Sequence, residues 1–558
     1  MKFRRPKITK TSFKRFSNTG FFVAIFSGSL PLLDYTHQDT IISEPSEVIL
    51  LIFLFALTSL VILASYSFWL KTNGERIFAT VVTSYALIMY FPEIIKAFSG
   101  LRSSLGTVKS GLIIEVTIYL GTGLIAIVLR KVEDFLEKKR LAVKPLVTIV
   151  KFVCAATFII NLYRFGSYID ANSTVSTYKP AYVASITKLK PAIQPQPDIY
   201  YFVFDRYVNS ESLQNYFDFD NSDFLNQLRA KGFIIRDPAF SNYQFTAPSV
   251  ASTLRMGYHN DLAKDLPGEQ PSNDLPYKNI IDDSQTVTLL RGAGYDTFNF
   301  GNWWNVTRKL KNATNILPQF QAIVLGNRFI LSELQSNFIG RSFLGSVLKR
   351  TPDIFGTSIV KISGTDTRQL YLGQLKEISQ LAGQPHSKPR FVFAHFLNAH
   401  PPYVFNPDGS QPSYSGNENN DGASRKVKYV NQLKYANSTA LELIDTIQKQ
   451  SKTPPIIIIQ ADEGPYPLES VSDWKEAPAD TLKLKFGILA AYALPGASSE
   501  ETTKIDSSVN TFRFVFNNYF GTKLDYLPDC SYVYNSAMPF TYYSVTAKLH
   551  GQENPNCK

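Results

Sequence analysis

Cysteine is scarce, with three in 558 residues, so no cysteine framework organises a chain of this length. Internal repeats and low-complexity tracts are also missing, which sets aside a repeat array. Acids are absent from the first sixteen residues, MKFRRPKITKTSFKRF, which carry seven Lys or Arg. The +11 net charge draws heavily on such flanks and needs no nucleic acid partner. Long apolar runs are confined to the first third of the chain. After Pro197 the sequence reads as an ordinary soluble protein, and 558 residues are too many for one ordinary domain. A composite architecture follows.

The apolar blocks can be placed one by one. Val48 to Leu70 holds no charge and reaches the ~20 residues a helix needs to cross hydrocarbon. Spans are predicted at about 17–33, 48–70, 77–95, 111–129 and 146–163. The first is short and contains Pro31. A secretory signal peptide is its alternative, although no small-x-small cleavage pattern precedes Asp34. Glu115 and Lys151 lie within spans and mark either a transport pathway or paired, snorkelling charges. Basic residues in the N-terminal segment and in Arg130 to Lys144, against an acidic first loop from Asp34 to Glu47, place the N-terminus in the cytoplasm. Five crossings then carry everything beyond outside. The loop Lys96 to Ser110, with three bases, disagrees mildly. The expected division is a transmembrane region at 1–165, a polar connector at 166–196 and an outer domain at 197–558.

The outer domain begins with PDIYYFVFDRY, an apolar run bounded by Pro197 and stopped by Asp205. Similar predicted strands occupy Arg390 to Leu397, Pro455 to Asp462 and Lys485 to Leu494. Helical stretches lie between them, including Asp223 to Lys231, Thr365 to Leu381 and Ser424 to Gln450. Such alternation predicts an α/β domain with a mostly parallel sheet sandwiched by helices.

Ligands in such sheets bind beyond the carboxyl ends of the strands. Three of these ends carry candidate metal ligands: Asp205, the stretch from His395 to His400, and Asp462 with Glu463. One polar residue after a strand is ordinary, but three converging sets of carboxylate and imidazole are not. TAPSVASTL from Thr246 reads as the start of a helix. Its N-terminus favours an anion, and a dication would make the Thr246 hydroxyl nucleophilic. The plainer reading of Thr246 alone is a helix cap.

The ordered set FVFDRY, NYQFTAPSVASTL, GYDTFNFGNWW, FAHFLNAHPPYVF, IIIIQADEGPYP and VNTFRFVFNNYF spans roughly Pro197 to Asp529. It resembles the alkaline phosphatase and sulfatase superfamily, and within it the membrane proteins related to lipoteichoic acid synthases and phosphoethanolamine transferases. The resemblance implies an alkaline phosphatase-like fold after five spans. It implies Asp205 and Asp462 as acidic metal ligands, Thr246 as nucleophile and metal ligand, and His400 as the contact to substrate phosphate or a second metal, with His395 a nearby candidate. Conventional sulfatases differ, because they carry C/S-x-P-x-R where this chain has Thr246 and Val250. GNWW likewise stands in place of their G-K-W-H. Sulfate ester hydrolysis is therefore not expected. The family's Asp-His-Gly is here Asp462, Glu463, Gly464. Either Glu463 replaces the imidazole, giving an oxygen-rich site that favours Mn²⁺ or Mg²⁺ over Zn²⁺, or the site is weakened and the domain only binds.

The expected protein is thus a membrane-anchored, metal-dependent phosphotransferase or hydrolase of the cell envelope. Its partners would be the lipid bilayer and a phospholipid or glycan substrate. It would sit in the plasma (inner) membrane with its large C-terminal domain outside. A catalytically inactive envelope binding protein is the alternative. Cys530 and Cys557 can pair in an oxidising compartment. Trp303 and Trp304 line a pocket or pack in the core, and VNTFRFVFNNYF is expected to pack a helix on the sheet.

Overall fold

The computed structural model describes residues 10–37, 43–69, parts of 128–138, 143–179, 181–191, 195–270, 272–316, parts of 321–362, 367–412 and 422–557. Two compact units emerge. The first comprises Met1–Asp39, Ser43–Ser173 and Ala322–Ile362; the second comprises Thr40–Ile42, Thr174–Gln321 and Ser363–Lys558.

In the first unit α1 spans Lys10–Tyr35, α2 Glu47–Trp69 and α3 Val143–Ser176. Among the described residues, Thr148–Ser176 is the helix long and apolar enough to cross a membrane, and Gly20–Tyr35 and Glu47–Val61 are shorter apolar helices. The expected spans at 77–95 and 111–129 lie outside the described residues, apart from Val128. Leu30, Leu32 and Tyr35 pack on Val48, Leu51 and Phe55. Gly28 permits the approach, since a Cβ there would lie 3.3 Å from Ile52 Cγ2. Along α3, Phe152, Ile159 and Tyr163 expose large apolar surfaces, as a lipid-facing helix would. Lys151 lies 5.6 Å from the Phe22 ring, so that charge has a local aromatic partner. The helix continues through Ser176, which makes the start of the expected connector helical.

A seven-stranded sheet organises the second unit: β1 Ile199–Phe204, β2 Ile234–Arg236, β3 Asp296–Phe300, β4 Thr314–Ile316, β5 Arg390–Phe396, β6 Ile456–Gln460 and β7 Ala490–Ala493. Their order is β2-β7-β6-β1-β5-β3-β4. The strands β6, β1, β5, β3 and β4 run parallel; β7 is antiparallel to β6, and β2 pairs antiparallel with β7 at the edge and so runs in the direction of the others. The expected strand over Lys485–Leu494 is thus shorter than predicted and reversed. Lys485 and Phe486 still belong to a helix, Ala479–Phe486, and the chain turns at Gly487.

Every residue of β1 is buried, because both faces of the sheet are covered. Ile199, Tyr201 and Val203 point into one apolar layer with α4, Thr246–Arg255, and α7, Thr511–Phe520. Tyr200, Phe202 and Phe204 point into the other, with α5, Thr367–Gly383, and α6, Gly422–Gln450. Burying each large side chain contributes about 1.5–3 kcal/mol. Phe512 of α7 meets Tyr201 and Phe391 edge-on, so VNTFRFVFNNYF does supply a helix to the sheet. Cys530 and Cys557 form a disulfide.

Candidate active site

Because β6, β1 and β5 are parallel neighbours, their carboxyl ends open along one edge. Asp205 follows β1 directly, Asp462 lies just past β6, and His395 is the penultimate residue of β5. His395 Nε2 stands 3.6 Å from Asp205 Oδ2 and 4.0 Å from Asp462 Oδ2. One ligand atom from each residue falls within 4.8 Å of the others. All three side chains are buried. Asp205 Oδ1, Asp462 Oδ2 and His395 Nε2 have no hydrogen-bond partner among the described residues, a condition costing roughly 1–3 kcal/mol for each buried polar atom. Two carboxylates and an imidazole that converge with unsatisfied atoms suit a divalent cation of the Mn²⁺, Mg²⁺ or Zn²⁺ type.

Thr246 is the first residue of α4, and its hydroxyl lies near enough to the Asp462 carboxylate to favour its ionised form. Phe245 precedes it in extended backbone and offers no side-chain cap, so the first N–H groups of the helix remain available to a ligand. The expectation that TAPSVASTL opens a helix at Thr246 matches this geometry. Pro248 sits in the first turn, where a missing N–H does no harm.

His395 is oriented from behind. Its Nδ1 lies 2.8 Å from Thr307 Oγ1 and 3.0 Å from Asn302 Nδ2, and Asn302 Oδ1 accepts from the Trp304 N–H at 2.8 Å. The tautomer that donates Nδ1–H to Thr307 leaves a lone pair on Nε2 for a cation. Glu463 is not a member of the three-residue cluster. Its Oε1 lies 2.9 Å from Lys485 Nζ and 3.2 Å from Arg206 Nε, and its Oε2 is buried without a partner.

These residues meet at a cavity of about 370 Å³. Asp205, Arg206, Thr246, His400 and Glu463 supply its polar wall; Phe245, Trp303, Trp304, Tyr466 and Tyr534 supply aromatic surface. Both tryptophans therefore line the pocket. Trp304 also packs on the core, and Trp303 lies beside Leu370 and Leu397.

Electrostatics differ sharply from one group to the next. Burial raises Asp205, but His400, His395 and Arg206 outweigh it and hold the carboxyl below the usual carboxylate range. His400 is itself pushed down to about 4, by burial first and then by the Arg206 charge. At neutral pH, Arg206 is therefore the permanent cation facing Asp205. Asp462 is pushed up to about 7 by burial and by the charge of Asp205. Two carboxylates that cannot comfortably ionise together are what a dication resolves.

Sequence reasoning named Asp205, Thr246, His400, Asp462 and Glu463; four of them line the cavity, and Asp462 lies beside Asp205 in the buried cluster. It did not single out Thr307, Asn302, Arg206, Lys485 or Asp274. Arg206 had a signal in its place directly after Asp205. Lys485 had none, because its partner is brought to it only by the fold. His259 is fully buried against Tyr243 with Nε2 2.8 Å from the Pro248 carbonyl. Arg513 is buried and donates to the carbonyls of Met256 and Asp525.

A family profile described as Sulfatase matches residues 208–522, more than half of the chain, and the protein belongs to that family. Similar solved structures include the periplasmic C-terminal domain of EcEptC from Escherichia coli, at 13% identity over 65% of this chain and 97% of that one, with a TM-score of 0.39. The integral membrane lipooligosaccharide phosphoethanolamine transferase A (EptA) from Neisseria meningitidis is 11% identical over 90% of this chain and 95% of its own, with a TM-score of 0.37. A phosphonate monoester hydrolase of Agrobacterium radiobacter is 10% identical over 61% and 80%, also at 0.37. No curated protein matches the chain by sequence.

Proposed function

We propose that this sulfatase-family protein is a metal-dependent phosphotransferase of the cell envelope, anchored in the plasma membrane by five N-terminal helices with residues 197–558 carrying the outer, catalytic domain. The observation that carries the reading is the convergence of Asp205, Asp462 and His395, each with an unsatisfied buried atom, beside the Thr246 hydroxyl. Those three side chains would hold the ion. Bound there, it supplies positive charge that lowers the pKa of the hydroxyl and neutralises phosphate oxygens.

The chain's own groups account for the remaining chemistry. Thr246 Oγ attacks phosphorus of a phosphodiester head group as its proton passes to the Asp462 carboxylate. The bond from phosphorus to the departing alcohol breaks, and that alcohol takes up the proton Asp462 received. An acceptor hydroxyl on a glycan or lipid then attacks the phosphothreonine, the bond from phosphorus to Thr246 Oγ breaks, and the acceptor's proton passes to Thr246 Oγ. His400, neutral at physiological pH, contacts the phosphate or the leaving oxygen. The first N–H groups of α4 favour the anion. A threonine in place of the residue that sulfatases convert to formylglycine supports phosphoryl rather than sulfuryl chemistry.

The test uses the full chain purified in detergent. Metal is measured by mass spectrometry and head-group transfer from a phospholipid donor by product mass, for the parent and Thr246→Ala. The expected outcome is one ion per chain in both proteins and turnover in the parent alone. Release of the head group to water rather than to an acceptor identifies a hydrolase. A parent that retains no metal under any condition leaves a binding protein on a membrane anchor and sinks the catalytic reading.

A further inference from the structure

Asp462 and Glu463 are adjacent, yet their carboxylates turn to different neighbours. Glu463 Oε1 faces Lys485 Nζ at 2.9 Å and Arg206 Nε at 3.2 Å. Tyr466 packs against both cations, with its ring centre 4.6 Å from the guanidinium carbon and 3.7 Å from the ammonium. The side chains of Lys485, Glu463 and Arg206 are 0%, 3% and 11% exposed. Arg206 lines the cavity beside Thr246 and His400, whereas Lys485 does not.

Charge balance shows what this arrangement suits. Asp205, Asp462 and Glu463 against Arg206 and Lys485 leave one net negative charge. A dication in the cluster converts that to one net positive charge, which suits an anionic phosphate and little else. The backbone of Arg206 is committed to the same place. It adopts φ 59°, a left-handed conformation costing a non-glycine residue roughly 1–2 kcal/mol. Its N–H lies 3.3 Å from Asp462 Oδ1, and its carbonyl accepts from the Tyr429 hydroxyl at 2.7 Å. Strain of this kind persists where the surroundings over-determine it, commonly at functional sites.

We propose that Glu463 is not a ligand of the ion but the anchor of Arg206, and that the Arg206 guanidinium binds a phosphate oxygen of the substrate. This rests on the phosphotransfer reading above. Glu463 engages Nε, so the phosphate is met by the terminal amino groups, in the two-pronged manner that guanidinium suits better than ammonium. An arginine pinned by an ion pair and an aromatic face loses little freedom when the anion arrives. Glu463 is then a positioning residue.

The experiment measures metal content and the affinity for inorganic phosphate, by calorimetry, on the full chain in detergent. The parent is expected to hold one ion and bind phosphate. Glu463→Gln is expected to keep its ion while phosphate binds about tenfold more weakly, the scale of one lost charge-assisted contact. Arg206→Gln should lose a similar factor, Arg206→Lys should recover part of it, and the double variant should bind no more weakly than the worse single. Loss of the ion in Glu463→Gln would make Glu463 a ligand and overturn the inference. Should Glu463→Gln fail to fold because Lys485 loses its counter-charge, Arg206→Gln decides, since it keeps the Glu463–Lys485 pair. Unchanged phosphate affinity in metal-loaded Arg206→Gln overturns the inference alone. Absence of metal from the parent overturns the phosphotransfer reading and this one with it.

Discussion

Two groups of charged side chains share the carboxyl edge of the sheet, and they are built on opposite principles. Asp205, His395 and Asp462 converge with atoms that no group among the described residues satisfies. Glu463, Lys485 and Arg206 close on one another through ion pairs and the ring of Tyr466. Burial is nearly complete in both. The difference lies in the partners: among the described residues every member of the first set carries an unsatisfied atom, which suits a cation, whereas the second pairs Glu463 Oε1 with two protein cations and leaves only Glu463 Oε2 unmatched. Consecutive residues, Asp462 and Glu463, fall on either side of that line.

Breaking the open cluster should have the largest consequences. Thr246→Ala is expected to lower turnover by at least about 10³-fold, since the nucleophile itself is gone, while metal content stays at the parental level; a variant that still turns over removes Thr246 from the chemistry. Asp462→Asn should go further back in the sequence of events and remove the ion, by about 10–100-fold in affinity, measured as metal retained after dialysis. If it retains metal as the parent does, the open cluster is not the binding site. Thr307→Val keeps the shape behind His395 but deletes the hydroxyl 2.8 Å from Nδ1. Roughly tenfold weaker metal binding is expected, as for other groups that orient a ligand histidine, and unchanged binding would make Thr307 packing only.

A smaller effect sharpens the comparison by leaving both clusters intact. Asp274 lines the same cavity, and burial pushes its carboxyl up to about 7. A raised carboxyl pKa means the folded form holds a proton that the unfolded chain, titrating near 4, has already lost. Its contribution to stability is therefore complete below about pH 4 and is lost as pH rises through 7. Asp274→Asn should accordingly raise the melting temperature at pH 8 and change little at pH 5. The difference is on the order of 1–3 kcal/mol, and equal shifts at the two pH values would contradict it.

Much of this was legible in the residues, for physical reasons. Apolar runs bounded by Pro197 or Pro455 and stopped by an acid announce parallel strands and their ligand-bearing ends together, which is why Asp205 and Asp462 were found. Thr246 stood out at a predicted helix start, but that position alone reads as a helix cap, and its expected role as nucleophile came from the family resemblance. The helices at 222–230, 367–383 and 422–450 appeared within a few residues of their predicted limits. The short outer strands Ile234–Arg236 and Thr314–Ile316 gave no comparable signal, because three residues carry no period. The choice between His395 and Glu463 was hidden for another reason. His395 lies inside a strand, so its neighbours are Asp205 and Asp462 of adjacent strands, while Glu463 finds Lys485 at the end of a helix that the sequence presented as the start of a strand. Local pattern reads which elements exist; it does not read which side chains the folded sheet presents to each other.

The disulfide has a consequence for anyone handling the protein. The side-chain amide of Asn242, four residues before Thr246, donates to the carbonyl of Cys530 at 2.8 Å, and Cys530 is bonded to Cys557. Tyr243 packs in the same small cluster as both cysteines. The segment that delivers Thr246 to the pocket is therefore braced by a bond of a kind that laboratory dithiols reduce. Preparations kept in dithiothreitol should lose activity well before their circular dichroism changes, and a sample judged dead by such a protocol would report on the buffer rather than on the enzyme.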